Sequence, residues 1–338
     1  MNAVTANDAS HWGVFGHDWA VDYLRKGLRH GRTRQAYLFT GTPGIGKTTL
    51  AHAFAAALNC QHPDVDARPC GECRSCRVIA SGNHPDILYA EEDDSSGTLK
   101  IEALRDLMRR LALKPYDARY RVAIVPGFER ARGPAQDAIL KTLEEPPPYA
   151  VLILLANGME NTLATIQSRC QIVYLKPVAA EIIAGMLRTR YGTEDERAVL
   201  IARLSGGRIG WAVQAVHDDS VLEQRGTALD LLESLLRQSR RDRFALANDL
   251  AGDKPALLRL LELWQTYWRD LLLLSVGNSV KPVNIDRIAT LEQLSRVLRV
   301  ESVETALRQT QRAQTLIQGT NVNVRLLLEV LFLDYPAA

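Results

Sequence analysis

The chain has 338 residues, a formal net charge of +2 and 46% hydrophobic residues, which is the composition of an ordinary globular protein. This length allows about two or three domains, each with its own core. The nearly balanced charge provides no broad basic surface, so DNA binding by this chain alone is not suggested. The longest apolar runs, at 150–156 and 271–276, are too short to cross a bilayer, and the N-terminus lacks the features of a signal peptide. We therefore expect a cytoplasmic protein, in which disulfides are rare.

A phosphate-binding loop motif follows the first strand-like run. Residues Gly41–Thr48 fit G-x-x-x-x-G-K-[ST] and lie between the apolar run Ala36–Phe39 and a helix-like stretch that ends near Leu58. In such a loop, backbone N–H groups surround phosphate oxygens, Lys47 reaches the outer phosphates and Thr48 offers its hydroxyl to magnesium. The sequence therefore predicts a site for ATP or ADP with Mg²⁺. The predicted nucleotide-binding residues are Gly41, Thr42, Pro43, Gly44, Ile45, Gly46, Lys47, Thr48 and Thr49.

The carboxylates that normally accompany this loop are missing. Enzymes that split ATP need an acid at the end of another strand, which holds the metal and helps to prepare the attacking water. The matching strand, Arg121–Val125, runs into Pro126 and Gly127, and neither side chain can bind a metal. Glu129 follows two positions later, where it could substitute only if the backbone were shifted. We therefore expect a site that binds nucleotide and hydrolyses it poorly.

Four of the five cysteines lie close together in the sequence. Cys60 is followed by Cys70, Cys73 and Cys76, so that two C-x-x-C steps overlap. This spacing suits one tetrahedral zinc ion, which would also fold a loop too polar to form a core of its own. The alternatives are reduced, unligated thiols or a redox pair, and a reducing compartment favours zinc. With four protein ligands the site would be closed and structural, while Cys170 is predicted to be a packed thiol.

Strand-like and helical segments alternate as far as residue 177. The strand-like runs are apolar throughout, which predicts an α/β fold with a parallel sheet covered by helices on both faces. An acidic segment at 91–97 predicts a solvated connection. Beyond residue 177 helical periodicity dominates. The predicted domains are an α/β core at 1–177 with the cysteine module at 60–76, a small helical lid at 178–218, and an all-helical domain at 219–338.

Two groups of side chains in the helical tail have more than one interpretation. One helical face carries Trp264, Tyr267 and Trp268. We expect these aromatic residues to pack in a helical core rather than to form a stacking platform for nucleic acid. The second group is Arg237, Arg240, Arg241 and Arg243. We expect these arginines on a solvated face or at a helix end.

Three further segments complete the pattern. Leu143–Pro147 is a helix end stopped by prolines, Ser168–Cys170 precedes the last strand, and Gly206–Ala212 opens a helix. Together with the phosphate loop and the cysteine cluster, these segments resemble the clamp-loader subunits of bacterial DNA polymerase III. The resemblance covers nearly the whole chain, and its motifs are strong up to about Ala212.

The resemblance implies an architecture and a set of partners. The fold would be an AAA+ P-loop NTPase core with a small helical lid and an all-helical C-terminal collar, through which five subunits form an open ring. That ring opens a sliding clamp and loads it onto primed DNA during replication. The implied partners are motor subunits of the gamma or tau type, a delta subunit, the sliding clamp and primer-template DNA, with no membrane.

The resemblance also implies roles for single residues. Arg169 matches an arginine finger that reaches into the neighbouring subunit's ATP site and stabilises the transferred phosphoryl group. Judged without the family, a surface or internally paired arginine is favoured. Asn157 falls at the position of a γ-phosphate sensor, although an ordinary strand-end asparagine fits nearly as well. The lid arginine of motor subunits is replaced by Gly210, which leaves Arg208, near Trp211, as a second candidate sensor.

A chain that keeps Arg169 but has lost its own acids fits a clamp-loader subunit that serves its neighbour's ATP site. One alternative is a catalytically active motor subunit, which would need acids at positions 126 and 127. Another is an unrelated AAA+ nucleic-acid remodeller, against which the cysteine insertion and the helical tail argue. A third is a nucleotide-gated scaffold without a role in replication, which pull-down partners would distinguish.

Overall fold

A computed structural model of the chain describes residues 12–90, 98–277, 280 and 282–337. The predictions for the extreme N-terminus and for the connection 91–97 lie outside these residues. The chain divides into two compact units: one holds the residues up to Gly192 together with Gly207–Trp211, and the other holds the rest. The three-part division at 177 and 218 stays a prediction. Over the described residues, none of the helices is both long and apolar enough to cross a bilayer.

The first unit is built on a sheet in which every described strand pairing is parallel, with the order β2-β3-β4-β1-β5. Because β1 lies between β4 and β5, the segments that follow β1 and β4 meet at the carboxyl edge of the sheet, where parallel sheets bind ligands. The strands are β1 (Ala36–Thr40), β2 (Ile87–Tyr89), β3 (Arg121–Val125), β4 (Ala150–Ala156) and β5 (Gln171–Tyr174).

Alternate residues of the strands point into two cores, one on each face of the sheet. Tyr37 and Phe39 of β1 belong to one core, whereas Ala36 and Leu38 belong to the other. This arrangement confirms the predicted parallel sheet buried on both faces. The helices of this unit are α1 (Asp18–Arg29), α2 (Lys47–Asn59), α3 (Arg74–Ala80), α4 (Ile101–Leu111), α5 (Gly133–Asp137), α6 (Leu140–Glu144), α7 (Ala164–Gln167) and α8 (Ala180–Tyr191).

The second unit is helical, and the aromatic group of the tail lies in its core. Trp264, Tyr267 and Trp268 have no exposed surface, and the indole N–H of Trp264 donates to the carbonyl of Ala228 at 2.8 Å. The prediction of core packing is therefore confirmed. The helices are α9 (Asp195–Leu204), α10 (Ile209–His217, which begins in the first unit), α11 (Ser220–Leu235), α12 (Arg240–Leu250), α13 (Lys254–Ser275), α14 (Ile288–Val297), α15 (Val300–Gly319) and α16 (Val324–Asp334).

The arginine group was expected on a solvated face or at a helix end, and Arg243, in the first turn of α12, lies at a helix end but is buried rather than solvated. Its side chain is 5% exposed, and its guanidinium donates to the carbonyls of Phe332 and Tyr335 at 2.6 and 2.9 Å. The last carbonyls of a helix have no partner within the helix, and Arg243 satisfies those at the end of α16. The other three arginines of the group are exposed. The α/β fold class with a helical C-terminal region is confirmed.

Candidate nucleotide site and metal centre

The phosphate loop connects the end of β1 to the start of α2. Gly41 and Gly46 have φ angles of 148° and 111°, which side chains other than glycine rarely adopt. A Cβ on Gly41 would lie 2.5 Å from the carbonyl oxygen of Leu175, so the loop also needs glycine there for space. The N–H groups of the first turn of α2 have no partners within the helix. The local geometry is therefore that of an anion-binding loop.

Lys47, the first residue of α2, is bound to three oxygen atoms. Its ammonium group lies 2.5 Å from the carbonyl oxygen of Gly41, 3.1 Å from that of Thr42 and 2.9 Å from Oδ1 of Asn157. Burial lowers the pKa of Lys47 to about 8, although the nearby Glu129 carboxylate opposes this shift. Lys47 and Asn157, which sequence analysis placed on different elements, therefore meet at the carboxyl edge of the sheet.

Glu129 is part of this site, a role that the sequence did not predict. Its carboxylate accepts hydrogen bonds from Nδ2 of Asn157 at 2.6 Å and from the Asn157 backbone N–H at 3.2 Å. The chain turns directly after β3 at Pro126 and Gly127, which has a φ of 57°, and Glu129 follows this turn. The Pro-Gly pair was the sequence signal for this turn.

The start of α10 packs against the phosphate loop within the first unit. The N–H of Gly210 donates to the carbonyl oxygen of Gly44 at 2.7 Å, and a Cβ on Gly210 would lie 2.9 Å from that oxygen. An arginine at position 210 would therefore fit only if the loop moved. The guanidinium of Arg208 lies 5.9 Å from the centroid of a Trp211 ring, in a cation–π arrangement.

His17 supports the loop from the other side. Its ring is almost completely buried, and Nε2 lies 2.8 Å from the carbonyl oxygen of Ile45. Burial lowers the pKa of His17, against the smaller opposing effect of this hydrogen bond, so the ring is neutral at pH 7 and Nε2 carries the donated proton. Sequence analysis did not single out His17.

Arg169 lies at the opposite edge of the sheet from the phosphate loop. It lies two positions before β5 begins, whereas the loop follows β1, and these two strands are parallel neighbours. Each residue of a strand spans about 3.3 Å, so the length of β1 separates the two sites by roughly 15 Å. Arg169 therefore cannot complete the nucleotide site of its own chain.

The guanidinium of Arg169 is held by two acceptors. One nitrogen lies 2.8 Å from a carboxylate oxygen of Glu144 and the other lies 2.9 Å from the carbonyl oxygen of Thr165. The Arg169 side chain remains 36% exposed, and it borders a cavity of about 340 Å³ that Arg34 and Pro146 also line. The structure thus shows the internally paired arginine that the sequence favours when it is judged without the family. The partner, Glu144 at the end of α6, could not be identified because the two residues are 25 positions apart.

The four predicted metal ligands come together. The Sγ atoms of Cys60, Cys70, Cys73 and Cys76 all lie within 4.8 Å of one another. Cys60 follows the end of α2, and Cys73 and Cys76 bracket the start of α3. Backbone N–H groups donate to Cys60, Cys70 and Cys73 at 3.3–3.4 Å, an arrangement that stabilises thiolates. The donor set and its compactness fit a tetrahedral ion, in which ligand sulfurs lie about 3.8 Å apart.

Cys170 lies away from this cluster. Its side chain packs against the core that contains Leu38, and burial raises the pKa of the thiol to about 12. It behaves as a packed apolar residue, as predicted.

Two family models match the chain, and together they span most of it. The model "DNA polymerase III, delta subunit" matches residues 16–179, and the model "DNA polymerase III, delta subunit, C terminal" matches residues 221–335. The DNA polymerase III subunit delta' of Bacillus subtilis is 28% identical over 92% of this chain and 93% of that protein. The corresponding protein of Pseudomonas aeruginosa is 34% identical over 60% of this chain and 62% of that protein.

The chain is also similar to tau and gamma subunits of DNA polymerase III, and it matches only part of their length. The tau/gamma subunit of Haemophilus influenzae is 35% identical over 66% of this chain, and the match spans 33% of that protein.

Among solved structures, a gamma subunit-related protein of Thermotoga maritima is similar over 92% of this chain and 97% of its own, with 17% identity and a TM-score of 0.40. The Bacillus subtilis clamp loader delta protein has 15% identity and a TM-score of 0.34, over 92% of this chain and 98% of its own.

Proposed function

This chain belongs to the family of bacterial DNA polymerase III delta-type clamp-loader subunits, and we propose that within it the chain is a delta-prime-like subunit that serves its neighbour's ATP site. Two features support the delta-prime assignment over a motor subunit. The match to a delta' relative extends over nearly the full length of both chains, and the positions directly after β3 hold Pro126 and Gly127 in place of acids.

The observation that carries the proposal is the position of Arg169. It lies at the edge of the sheet opposite its own phosphate loop, partly exposed, with its guanidinium held by Glu144 and Thr165. A guanidinium in this state is oriented before any partner arrives. In a ring it would enter the nucleotide site of the adjacent motor subunit and stabilise charge on the transferred phosphoryl group, an effect worth about 10³–10⁵ in rate for arginine fingers generally.

The chain's own loop would bind nucleotide weakly or statically. Residues 41–49 would surround the phosphates of ATP or ADP with Mg²⁺, and Asn157 and Arg208 are the candidate sensors. Without an acid directly after β3, hydrolysis at this loop would be slow by orders of magnitude. The four clustered cysteines would hold a structural zinc ion, which has no place in the reaction.

The partners follow from the family. Gamma or tau motor subunits and a delta subunit would complete a five-subunit cytoplasmic ring, held together by the collar domain proposed at 219–338. The ring would load the sliding clamp on primer-template DNA, and this chain would contact DNA only as part of the assembly.

The test is DNA-stimulated ATP turnover by the chain mixed with its motor and clamp-opening partners. We compare the native chain with Arg169→Ala, and with Arg110→Ala, an exposed arginine of α4, as the matched control. The chain alone should be inert. Arg169→Ala should lower the rate of ATP hydrolysis about 10³-fold at the one motor site that Arg169 serves, so that this site no longer contributes to turnover. Arg110→Ala should leave turnover unchanged.

The opposite result identifies the alternative. Rapid turnover by the isolated chain, together with no effect of Arg169→Ala in the assembly, would refute the delta-prime proposal. It would favour a motor subunit whose catalytic acid does not follow β3.

A further inference from the structure

We infer that Glu129 is a positioning residue that weakens nucleotide binding at the phosphate loop. It holds the side chain of Asn157 so that Oδ1 of Asn157 accepts a hydrogen bond from the ammonium group of Lys47, which a phosphate would otherwise bind. This inference rests on the proposed binding of nucleotide at that loop and adds a residue that sets its affinity. It starts from a chain of hydrogen bonds that runs from Glu129 through Asn157 to Lys47.

The first step concerns the donors of Lys47. An ammonium group has three N–H donors, and here they face the carbonyls of Gly41 and Thr42 and the side-chain oxygen of Asn157. A phosphate oxygen that binds Lys47 must therefore displace at least one of these acceptors. The two carbonyls belong to the loop itself, whereas Asn157 comes from the end of β4. Asn157 is thus the acceptor that an outer phosphate would replace.

The second step concerns what keeps Asn157 in place. Its side-chain amide donates to one carboxylate oxygen of Glu129 at 2.6 Å, and its backbone N–H donates to the other at 3.2 Å. An ionised carboxylate can only accept, so it orients the amide with Nδ2 toward itself and Oδ1 toward Lys47. Hydrogen bonds to charged groups are about twice as strong as neutral ones. Glu129 therefore determines which end of Asn157 the lysine meets.

The third step concerns charge. The Glu129 carboxylate acts electrostatically on Lys47, and it has the same sign as an incoming phosphate. Lys47 faces the outer phosphates of a bound nucleotide, so both effects oppose a γ-phosphate more than a β-phosphate. The geometry therefore predicts a loop that prefers a nucleoside diphosphate to a triphosphate and binds both weakly.

The test measures dissociation constants of the full-length chain for fluorescent N-methylanthraniloyl ADP and ATP, with Mg²⁺ and with EDTA. Glu129→Ala removes the tether, and Glu129→Gln removes the charge but keeps an acceptor oxygen. Glu160→Gln, an exposed acid three positions beyond Asn157, is the matched control. Glu129→Ala should bind both nucleotides more tightly, by about tenfold for ATP, which corresponds to the release of one charge-assisted hydrogen bond. Glu129→Gln should fall between Glu129→Ala and the native chain, and Glu160→Gln should match the native chain.

A second measurement separates positioning from simple charge repulsion. If Glu129 acts through Asn157, then Glu129→Ala should give little further gain in a chain that already carries Asn157→Ala. Repulsion alone would give the same gain in both backgrounds, and equal gains would overturn the positioning role. Far-UV circular dichroism of each variant checks that the fold is intact.

The outcomes distinguish this inference from the proposed function. The inference is supported if Glu129→Ala binds nucleotide more tightly than the native chain and if this gain in affinity disappears in a chain that also carries Asn157→Ala. This holds even where the native chain binds too weakly to measure. Binding by the native chain with unchanged or weaker binding by Glu129→Ala overturns the inference and leaves the proposed nucleotide site standing. If no variant binds nucleotide, the inference and the proposed nucleotide binding both fail, whereas the trans role of Arg169 stands or falls by ATP turnover alone.

Discussion

Replacing Gly210 by alanine should disturb the phosphate loop. The new methyl carbon would lie 2.9 Å from the carbonyl oxygen of Gly44 and 3.3 Å from its Cα, and both are backbone atoms that cannot rotate away. The loop or the start of α10 must therefore shift, which strains the 2.7 Å hydrogen bond between Gly210 and Gly44. Overpacking of this kind costs about 1–3 kcal/mol. Alanine recovers up to about 1 kcal/mol through its helix propensity, which leaves a net loss of up to about 2 kcal/mol.

Gly185, in α8, supplies the control, because a Cβ there meets nothing within 4 Å. Gly185→Ala should raise the free energy of unfolding by up to about 1 kcal/mol through the same propensity. Both variants gain the same helix propensity, so their free energies of unfolding should differ by the overpacking cost of about 1–3 kcal/mol in urea unfolding. Gly210→Ala should also bind N-methylanthraniloyl ADP more weakly than the native chain, whereas Gly185→Ala should not. If Gly210→Ala is stabilised as much as Gly185→Ala, with unchanged nucleotide affinity, the contact between α10 and the loop does not exist in solution.

Two further predictions concern the rest of the first unit. Elemental analysis of the native chain should find one zinc ion per chain. The variant Cys73→Ser should lose this ion, and the variant Cys170→Ser should keep it. A native chain that holds no metal after purification in zinc-containing buffer would contradict the site. Asp86→Asn should lower the free energy of unfolding by about 2 kcal/mol at pH 7, because the buried carboxylate accepts from the backbone N–H groups of residues 116–118 at 2.8–3.1 Å. Burial alone would raise the pKa of Asp86, but these donors and the Arg121 guanidinium bring it below its usual value. The stabilisation by the Asp86 carboxylate is therefore complete above the unfolded-state pKa of about 4, and it is lost as the pH falls through the lower folded-state pKa. A difference in the free energy of unfolding between the native chain and Asp86→Asn that stays constant down to pH 2 would contradict this reasoning.

The parts of the molecule that could be predicted from the sequence depend on local spacing. The phosphate loop and the cysteine cluster are short segments whose covalent geometry already brings the functional atoms close together. The strands were predictable because their apolar runs reflect burial on both faces. The location of Arg169 at the edge opposite the loop also follows from the order of elements, once the sheet is known to be parallel.

The parts that could not be predicted depend on partners far away in the chain. Arg243 looked like a solvated residue because its acceptors are the carbonyls at the end of α16, about 90 positions later. Glu129 looked misplaced because its role depends on the backbone turn at Pro126–Gly127 and on the meeting of β3 with β4. The roles of Arg169 and of the two candidate sensors, and the domain boundaries, stay predictions.

The packing around Gly210 and Gly127 has an evolutionary consequence. A glutamate at position 127 would meet a backbone conformation that it resists, and Glu129 would still hold Asn157. An arginine at position 210 would meet the backbone of Gly44. If the loop hydrolyses ATP as slowly as proposed, a gain of hydrolysis would therefore require changes at several of these positions together. Under the proposed function, the division of labour between this chain and its neighbours would thus be difficult to reverse, even without selection to maintain it.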